Sequence, residues 1–121
     1  MISPEEMAVY RETARRRAAD TKTRQIQRRQ QAWAVARQAV VLLKEQFGVD
    51  QVAVFGSLAR GDLLHAHSDV DLAVWGMDER LLYRAVSRLL DIDPTFLVDL
   101  VRVEEASDRL RAAIERDGVI L

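Results

Sequence analysis

The 121 residues carry 18 Lys/Arg against 19 Asp/Glu, a formal charge of −1, and no cysteine. This length suits one compact core rather than two, the lack of thiols excludes a disulfide framework and a thiolate metal site, and no apolar run approaches the length of a membrane span. The start, Met1-Ile2-Ser3-Pro4-Glu5-Glu6, lacks the regions of a secretory signal, so the cytoplasm is the expected location. The small net charge conceals a division. Residues 1–47 hold 10 Lys/Arg and 5 Asp/Glu, a balance of +5, whereas residues 48–121 hold 8 and 14, a balance of −6. A basic leading segment can steer an anionic partner, either nucleic acid or an acidic protein face.

Ser3-Pro4-Glu5-Glu6 reads as a helix start, with Ser3 as N-cap, proline at the first helical position and Glu6 at the capping-box position. Met7, Tyr10, Ala14 and Ala18 then form a thin apolar stripe, and between Asp20 and Gln31 the only sizeable apolar residue is Ile26. A stretch this polar cannot bury itself, so it is either one extended helix running on into the domain or a helix broken near Asp20-Thr21-Lys22-Thr23, and continuity is the favoured reading. The division expected is a basic helical arm over 1–31 and a domain over 32–121. From Ala32 onward, Trp33, Ala36, Val40, Leu43 and Phe47 share one helical face that ends at Gly48.

Gln51 to Phe55 has the length and Val/Phe content of a short buried strand. Gly56-Ser57 follows it as a strand-to-helix turn, then a helical turn over 58–60 and a polar loop to Ser68. Asp69 to Trp75 is the second strand. A helix is predicted over 79–90 with Leu81, Leu82, Ala85, Val86, Leu89 and Leu90 as its buried face, a third strand over 96–101, and a last helix over 104–116.

Two stretches carry chemistry. Glycine at a strand-to-helix turn lets the backbone approach a phosphate, and a helix start favours negative charge there. In the second strand, residues i and i+2 face one side, so Asp69 and Asp71 point together while Val70 and Leu72 point into the core. Two carboxylates about 4 Å apart repel by roughly 4 kcal/mol at an effective dielectric near 20, so a cation is expected between them.

The Gly56-Ser57 turn followed by Asp69-Val70-Asp71 resembles the signature of the DNA polymerase β nucleotidyltransferase superfamily, in particular its small bacterial minimal nucleotidyltransferase (MNT) branch. Asp99, inside the strand-like run Phe96 to Val101, matches the third carboxylate of that superfamily. The closing residues 114–121, a helix ended by glycine before a short apolar strand, resemble the tail common in MNT proteins. The similarity covers about Trp33 to Leu121. One departure is a loop of eleven residues between Ser57 and Asp69, one longer than the usual pattern.

The resemblance implies an α/β (α+β) chain of the polymerase β-like fold, a small mixed sheet flanked by helices, here with a long N-terminal helix. It implies ATP as substrate, two Mg²⁺ ions held by Asp69, Asp71 and Asp99, and phosphate donors at Gly56 and Ser57. It further implies an antitoxin whose partner is a HEPN-family RNase toxin, inactivated by transfer of AMP to one of its tyrosines, in a homo- or hetero-oligomer. Two other readings are an inert MNT-fold module that acts by binding, and an RNA-directed nucleotidyltransferase that uses the basic arm.

Arg60 could touch a phosphate, though a surface ion pair is the commoner fate. His65 and His67 share a loop without a nearby third ligand, which favours solvation over metal binding. The run Arg15-Arg16-Arg17 with Lys22, Arg24, Arg28 and Arg29 reads mostly as a solvated helix face, so nucleic acid is not the favoured partner. Trp33 and Trp75 are expected in core packing or at an interface edge.

Overall fold

The computed structural model describes residues 1–64 and 69–121, with Asp69 described by its backbone alone. The chain runs α1 (Pro4–Phe47), β1 (Gln51–Phe55), α2 (Gly56–Arg60), β2 (Asp69–Trp75), a 3-10 turn (Glu79–Leu81), α3 (Leu82–Leu90), β3 (Leu97–Arg102), a 3-10 turn (Val103–Glu105), α4 (Asp108–Asp117) and β4 (Val119–Ile120). The strands form one mixed sheet in the order β3-β2-β1-β4; β1 is antiparallel to β2 and β4, and β2 is parallel to β3.

The first helix is continuous over 44 residues, about 66 Å at 1.5 Å per residue. The Ser3 hydroxyl accepts a hydrogen bond from the Glu6 N–H at 3.1 Å and satisfies one of the free donors of its first turn. Burial is confined to its last third, at Ala32, Val35, Ala36, Ala39, Val40, Leu43 and Phe47, so packing there anchors a helix whose leading half lies in solvent. Gly48 ends it at φ 61, and a Cβ added there would meet nothing within 4 Å. Gly48→Ala should therefore lose only the backbone preference, about 1 kcal/mol in urea unfolding. A loss above about 3 kcal/mol would contradict that account.

The two faces of the sheet are covered unequally. Val52, Val54, Val70, Leu72, Val74 and Val98 face α1 and α3 and form the larger core, together with Leu43, Leu58, Leu64, Met77, Leu89 and Phe96. Ala53, Phe55 and Ala73 face the other way, against Val103 and Ile114, with Trp75, Val101 and Leu110 packed around them. Trp33 packs against the larger cluster and Trp75 against the smaller. Among the described residues, α4 and the 3-10 turn at Val103 pack on this second face, where the small side chains of Ala53 and Ala73 let them approach closely.

Three local expectations need correction. In α3 only Ala85 and Leu89 are fully buried; Leu81, Leu82 and Val86 are half-buried, and Leu90 is 38 % exposed. One contact line at i and i+4 faces the core, and Leu90 lies a further 100° around the helix from Leu89. The third strand begins one residue late, at Leu97, with Phe96 buried just before it. The last helix is split. Ala106 and Ser107 are extended, and the Ser107 hydroxyl accepts from the Leu110 N–H at 3.1 Å, so α4 starts afresh at Asp108.

The connection from β2 to α3 is held by polar contacts. Gly76 N–H donates to Glu104 Oε1 at 2.7 Å, and Arg102 Nε donates to the Met77 carbonyl at 2.8 Å. Asp78 accepts from the Arg80 side chain and N–H, which hold its pKa down at about 2 against an ordinary 3.8. A depressed carboxylate contributes stability that is present above pH 4 and lost as pH falls through about 2; this pair is in solvent, so salt screens it. An NMR titration should place the Asp78 midpoint near 2 and return it toward 3.8 in Arg80→Ala.

Candidate active site

The parallel pairing of β2 with β3 sets Asp71 opposite Asp99 and Asp69 opposite Leu97, and β1 on the other side sets Phe55 opposite Asp71. Neighbouring strands lie about 4.8 Å apart, and paired residues emerge on the same face. Asp71 and Asp99 are thus adjacent on the thinly covered side of the sheet, where Asp71 is half-buried and Asp99 exposed. At about 5 Å and an effective dielectric near 20, two such charges repel by roughly 3 kcal/mol. Asp99 forms no ion pair among the described residues.

Gly56, the next residue after β1, sits directly against the Asp71 member of this pair. Its φ is +72, and a Cβ built on it would overlap the Asp71 carboxylate, with the carboxylate carbon only 3.1 Å away. The glycine serves two needs: a left-handed backbone at the strand-to-helix turn, and the space that the Asp71 carboxylate occupies. Phe55 precedes α2 as an extended cap residue whose own side chain makes no capping hydrogen bond. Ser57 is half-buried in this first turn, and its carbonyl accepts from the Gly61 and Asp62 N–H groups at 3.1 Å each.

Arg60 pairs with Asp62 at 2.8 Å with 43 % of its side chain exposed, a geometry worth little to stability. His65 and His67 lie outside the described residues, as does the side chain of Asp69. The described donors here are carboxylate oxygens, which suit a hard cation such as Mg²⁺. Among the described residues no group of three His, Cys, Asp or Glu stands together.

The residues not anticipated lie on α1. Gln25 Nε2 donates to the Leu64 carbonyl at 2.6 Å while the Leu64 N–H donates to Gln25 Oε1 at 2.9 Å. Arg29 donates to the carbonyls of Leu58 at 3.1 Å and Asp62 at 3.3 Å. Arg28 donates to the Thr95 carbonyl at 3.1 Å, and its guanidinium lies 4.2 Å from the centre of the Phe96 ring. The solvated-face reading of the basic run therefore fails at Arg28 and Arg29. The signal was present: Gln25, Arg28/Arg29 and Ala32 continue, at helical spacing, the buried stripe of Ala36, Ala39 and Leu43. Polar residues on such a line need main-chain partners in the body.

A glycine-serine turn beside carboxylates at the mouths of two parallel strands, on a mixed sheet backed by helices, is the frame of a nucleotidyltransferase. The polymerase β nucleotidyltransferase domain model matches residues 38–121, and the chain belongs to that family. Among solved structures, a minimal nucleotidyltransferase is 31 % identical with a TM-score of 0.60, covering 75 % of this chain and 94 % of its own. A toxin–antitoxin crystal structure with AMP-PNP is 26 % identical, with a TM-score of 0.59 and 67 % of each chain covered. The complex of tri-AMPylated Shewanella oneidensis HEPN toxin with its MNT antitoxin matches in fold, at 20 % identity and a TM-score of 0.57, over 74 % of this chain and 70 % of that one. No curated protein sequence matches significantly. Among the described residues, no helix is long and apolar enough to cross a membrane.

Proposed function

We propose that the protein is a Mg²⁺-dependent nucleotidyltransferase antitoxin that moves AMP from ATP to a tyrosine of a HEPN-family RNase toxin and thereby neutralises it. The observation that carries this reading is the in-register pairing of Asp71 with Asp99 beside a glycine whose missing side chain leaves room for the Asp71 carboxylate. The AMP-PNP-bound toxin–antitoxin relative supports ATP as the nucleotide, and the AMPylated HEPN toxin complex, a likeness of fold, suggests the acceptor.

Asp69, Asp71 and Asp99 would hold the metal, which when bound neutralises phosphate charge and stabilises the attacking and leaving oxygens. The backbone N–H groups at Gly56 and Ser57, with the Ser57 hydroxyl, hold the β- and γ-phosphates. Asp99, the more exposed carboxylate of the pair, stands on the side from which an acceptor hydroxyl enters. The phenol oxygen forms a bond to the α-phosphorus, the bond from that phosphorus to the bridging oxygen breaks, and pyrophosphate leaves with the electron pair. The phenolic proton passes to solvent. A protein acceptor supplies its own binding surface, which fits a domain of this size. The solvent-exposed leading half of α1, with Val9 and Tyr10 more than 60 % exposed, offers a docking arm for it.

The test is transfer of label from α-phosphate-labelled ATP, with Mg²⁺, to the product of the adjacent gene. Label is expected on the partner with wild type and not with the Asp69→Ala/Asp71→Ala double variant. Neutralisation of the toxin by both forms without labelling would overturn the enzymatic reading in favour of action by binding. Deleting residues 1–31 should weaken partner affinity; unchanged affinity would remove the docking role of the arm.

A further inference from the structure

We infer that the single turn of α1 from Gln25 to Arg29 is a positioning element of the nucleotidyl-transfer site, holding α2 and residues 62–64 on one side and the turn before β3 on the other; this rests on the function proposed above. These residues precede the matched family domain, which begins at residue 38. They act from the face of the sheet opposite the carboxylates, through hydrogen bonds to main-chain groups of neighbouring segments.

On one side, the Gln25 amide holds Leu64 by both its N–H and its carbonyl, as a neighbouring strand would. Leu64 is 2 % exposed and lies five residues before Asp69. Arg29 spans the same segment further upstream, reaching Leu58 inside α2 and Asp62 just beyond it. A cation at the carbonyl end of that short helix also complements its free acceptors. Gln25 and Arg29 together thus hold the path from Ser57 toward β2 at two points.

On the other side, Arg28 holds the turn before β3. Thr95 is already fixed to Asp93, with its N–H at 2.9 Å and its hydroxyl at 2.7 Å from Oδ1, bonds that pull the Asp93 pKa down, with a smaller pull from Arg28. Arg28 adds a hydrogen bond to the Thr95 carbonyl and stacks on Phe96, which is 1 % exposed and three residues before Asp99. Only a planar guanidinium can stack and donate in this way; a lysine ammonium retains the charge alone. Consecutive residues on a helix diverge by about 100°, so Arg28 and Arg29 reach different loops from one point on α1. The β2–β3 register sets Asp71 beside Asp99, and α1 holds α2 and the turn before β3 relative to that pair from one common reference.

This division of labour predicts opposite kinetic signatures. Gln25→Ala and Arg29→Ala loosen the phosphate-binding side and should raise KM for ATP about five- to tenfold with little change in kcat. Arg28→Ala loosens the Asp99 side and should lower kcat about tenfold or more with KM for ATP within about twofold, and Arg28→Lys should recover little of it. A purely structural role would reduce activity only in proportion to the folded fraction, with KM unchanged in every variant, and that result would overturn the inference. Amide hydrogen exchange of the partner-free protein gives an independent reading. Protection of residues 62–64 should fall in Gln25→Ala and that of residues 96–99 in Arg28→Ala; wild-type protection in both would overturn it equally. If wild type itself transfers no AMP, the proposed function has failed, and the exchange result alone decides the positioning role.

Discussion

Asp71→Asn, which keeps the side-chain volume and removes its charge, is expected to lower AMP transfer at least about a thousandfold while the protein stays folded. Asp71 is the pivot of the arrangement: it pairs across one strand boundary with Asp99 and across the other with Phe55, and Gly56 lies against its carboxylate. An amide there retains one oxygen but neither the charge nor the second equivalent ligand that a magnesium site uses. The substitution relieves a repulsion between two like charges about 5 Å apart, roughly 3 kcal/mol before solvent and counter-ions reduce it, and the variant should still unfold cooperatively on heating without Mg²⁺. Adding Mg²⁺ with ATP should raise the midpoint of wild type and not of the variant. Retention of full activity by Asp71→Asn would remove Asp71 from the site.

Gly56→Ala should produce the second large effect, on both stability and activity. The left-handed backbone at φ +72 costs an alanine about 1–2 kcal/mol. Overlap with the Asp71 carboxylate forces a shift worth a further 1–3 kcal/mol, roughly. A total loss of about 2–4 kcal/mol in urea unfolding is expected, together with a fall in transfer of at least about a hundredfold because the displaced carboxylate is one of the proposed metal ligands. The two contributions can be separated by a double-mutant cycle. In an Asp71→Ala background the overlapping carboxylate is gone, and Gly56→Ala should then cost only the backbone share of about 1–2 kcal/mol. Equal costs in both backgrounds would show that the glycine is there for its conformation and has no steric link to Asp71. The comparison with Gly48→Ala is useful, since that position combines φ 61 with empty surroundings and isolates the conformational cost.

Much of this protein was legible from local pattern. The five-residue strand Gln51–Phe55, the seven-residue strand Asp69–Trp75 and the continuous first helix follow the residue ranges expected of them, because alternation, β-branched content and capping chemistry are properties of adjacent residues. Boundaries failed where local signals compete, as at Ser107, whose hydroxyl starts a new helix rather than continuing the old one. Leu90 was misplaced because an apolar side chain reports that it can be buried, not that a neighbouring element reaches it.

By itself, then, the sequence determined most of the elements and the membership of a nucleotidyltransferase family. Spacing along a strand places Asp69 and Asp71 two residues apart on any fold. Tertiary structure decided what those residues stand beside. The register of the parallel pair puts Asp99 next to Asp71, the turn after β1 puts Gly56 against the same carboxylate, and the path of α1 carries Gln25, Arg28 and Arg29 to two loops distant in the chain. These relations depend on strand pairing and helix packing across many residues, and a polar side chain such as Gln25 looks the same in sequence whether its partner is water or a main-chain amide. Only the folded chain distinguishes them, because burial turns that choice of partner into free energy.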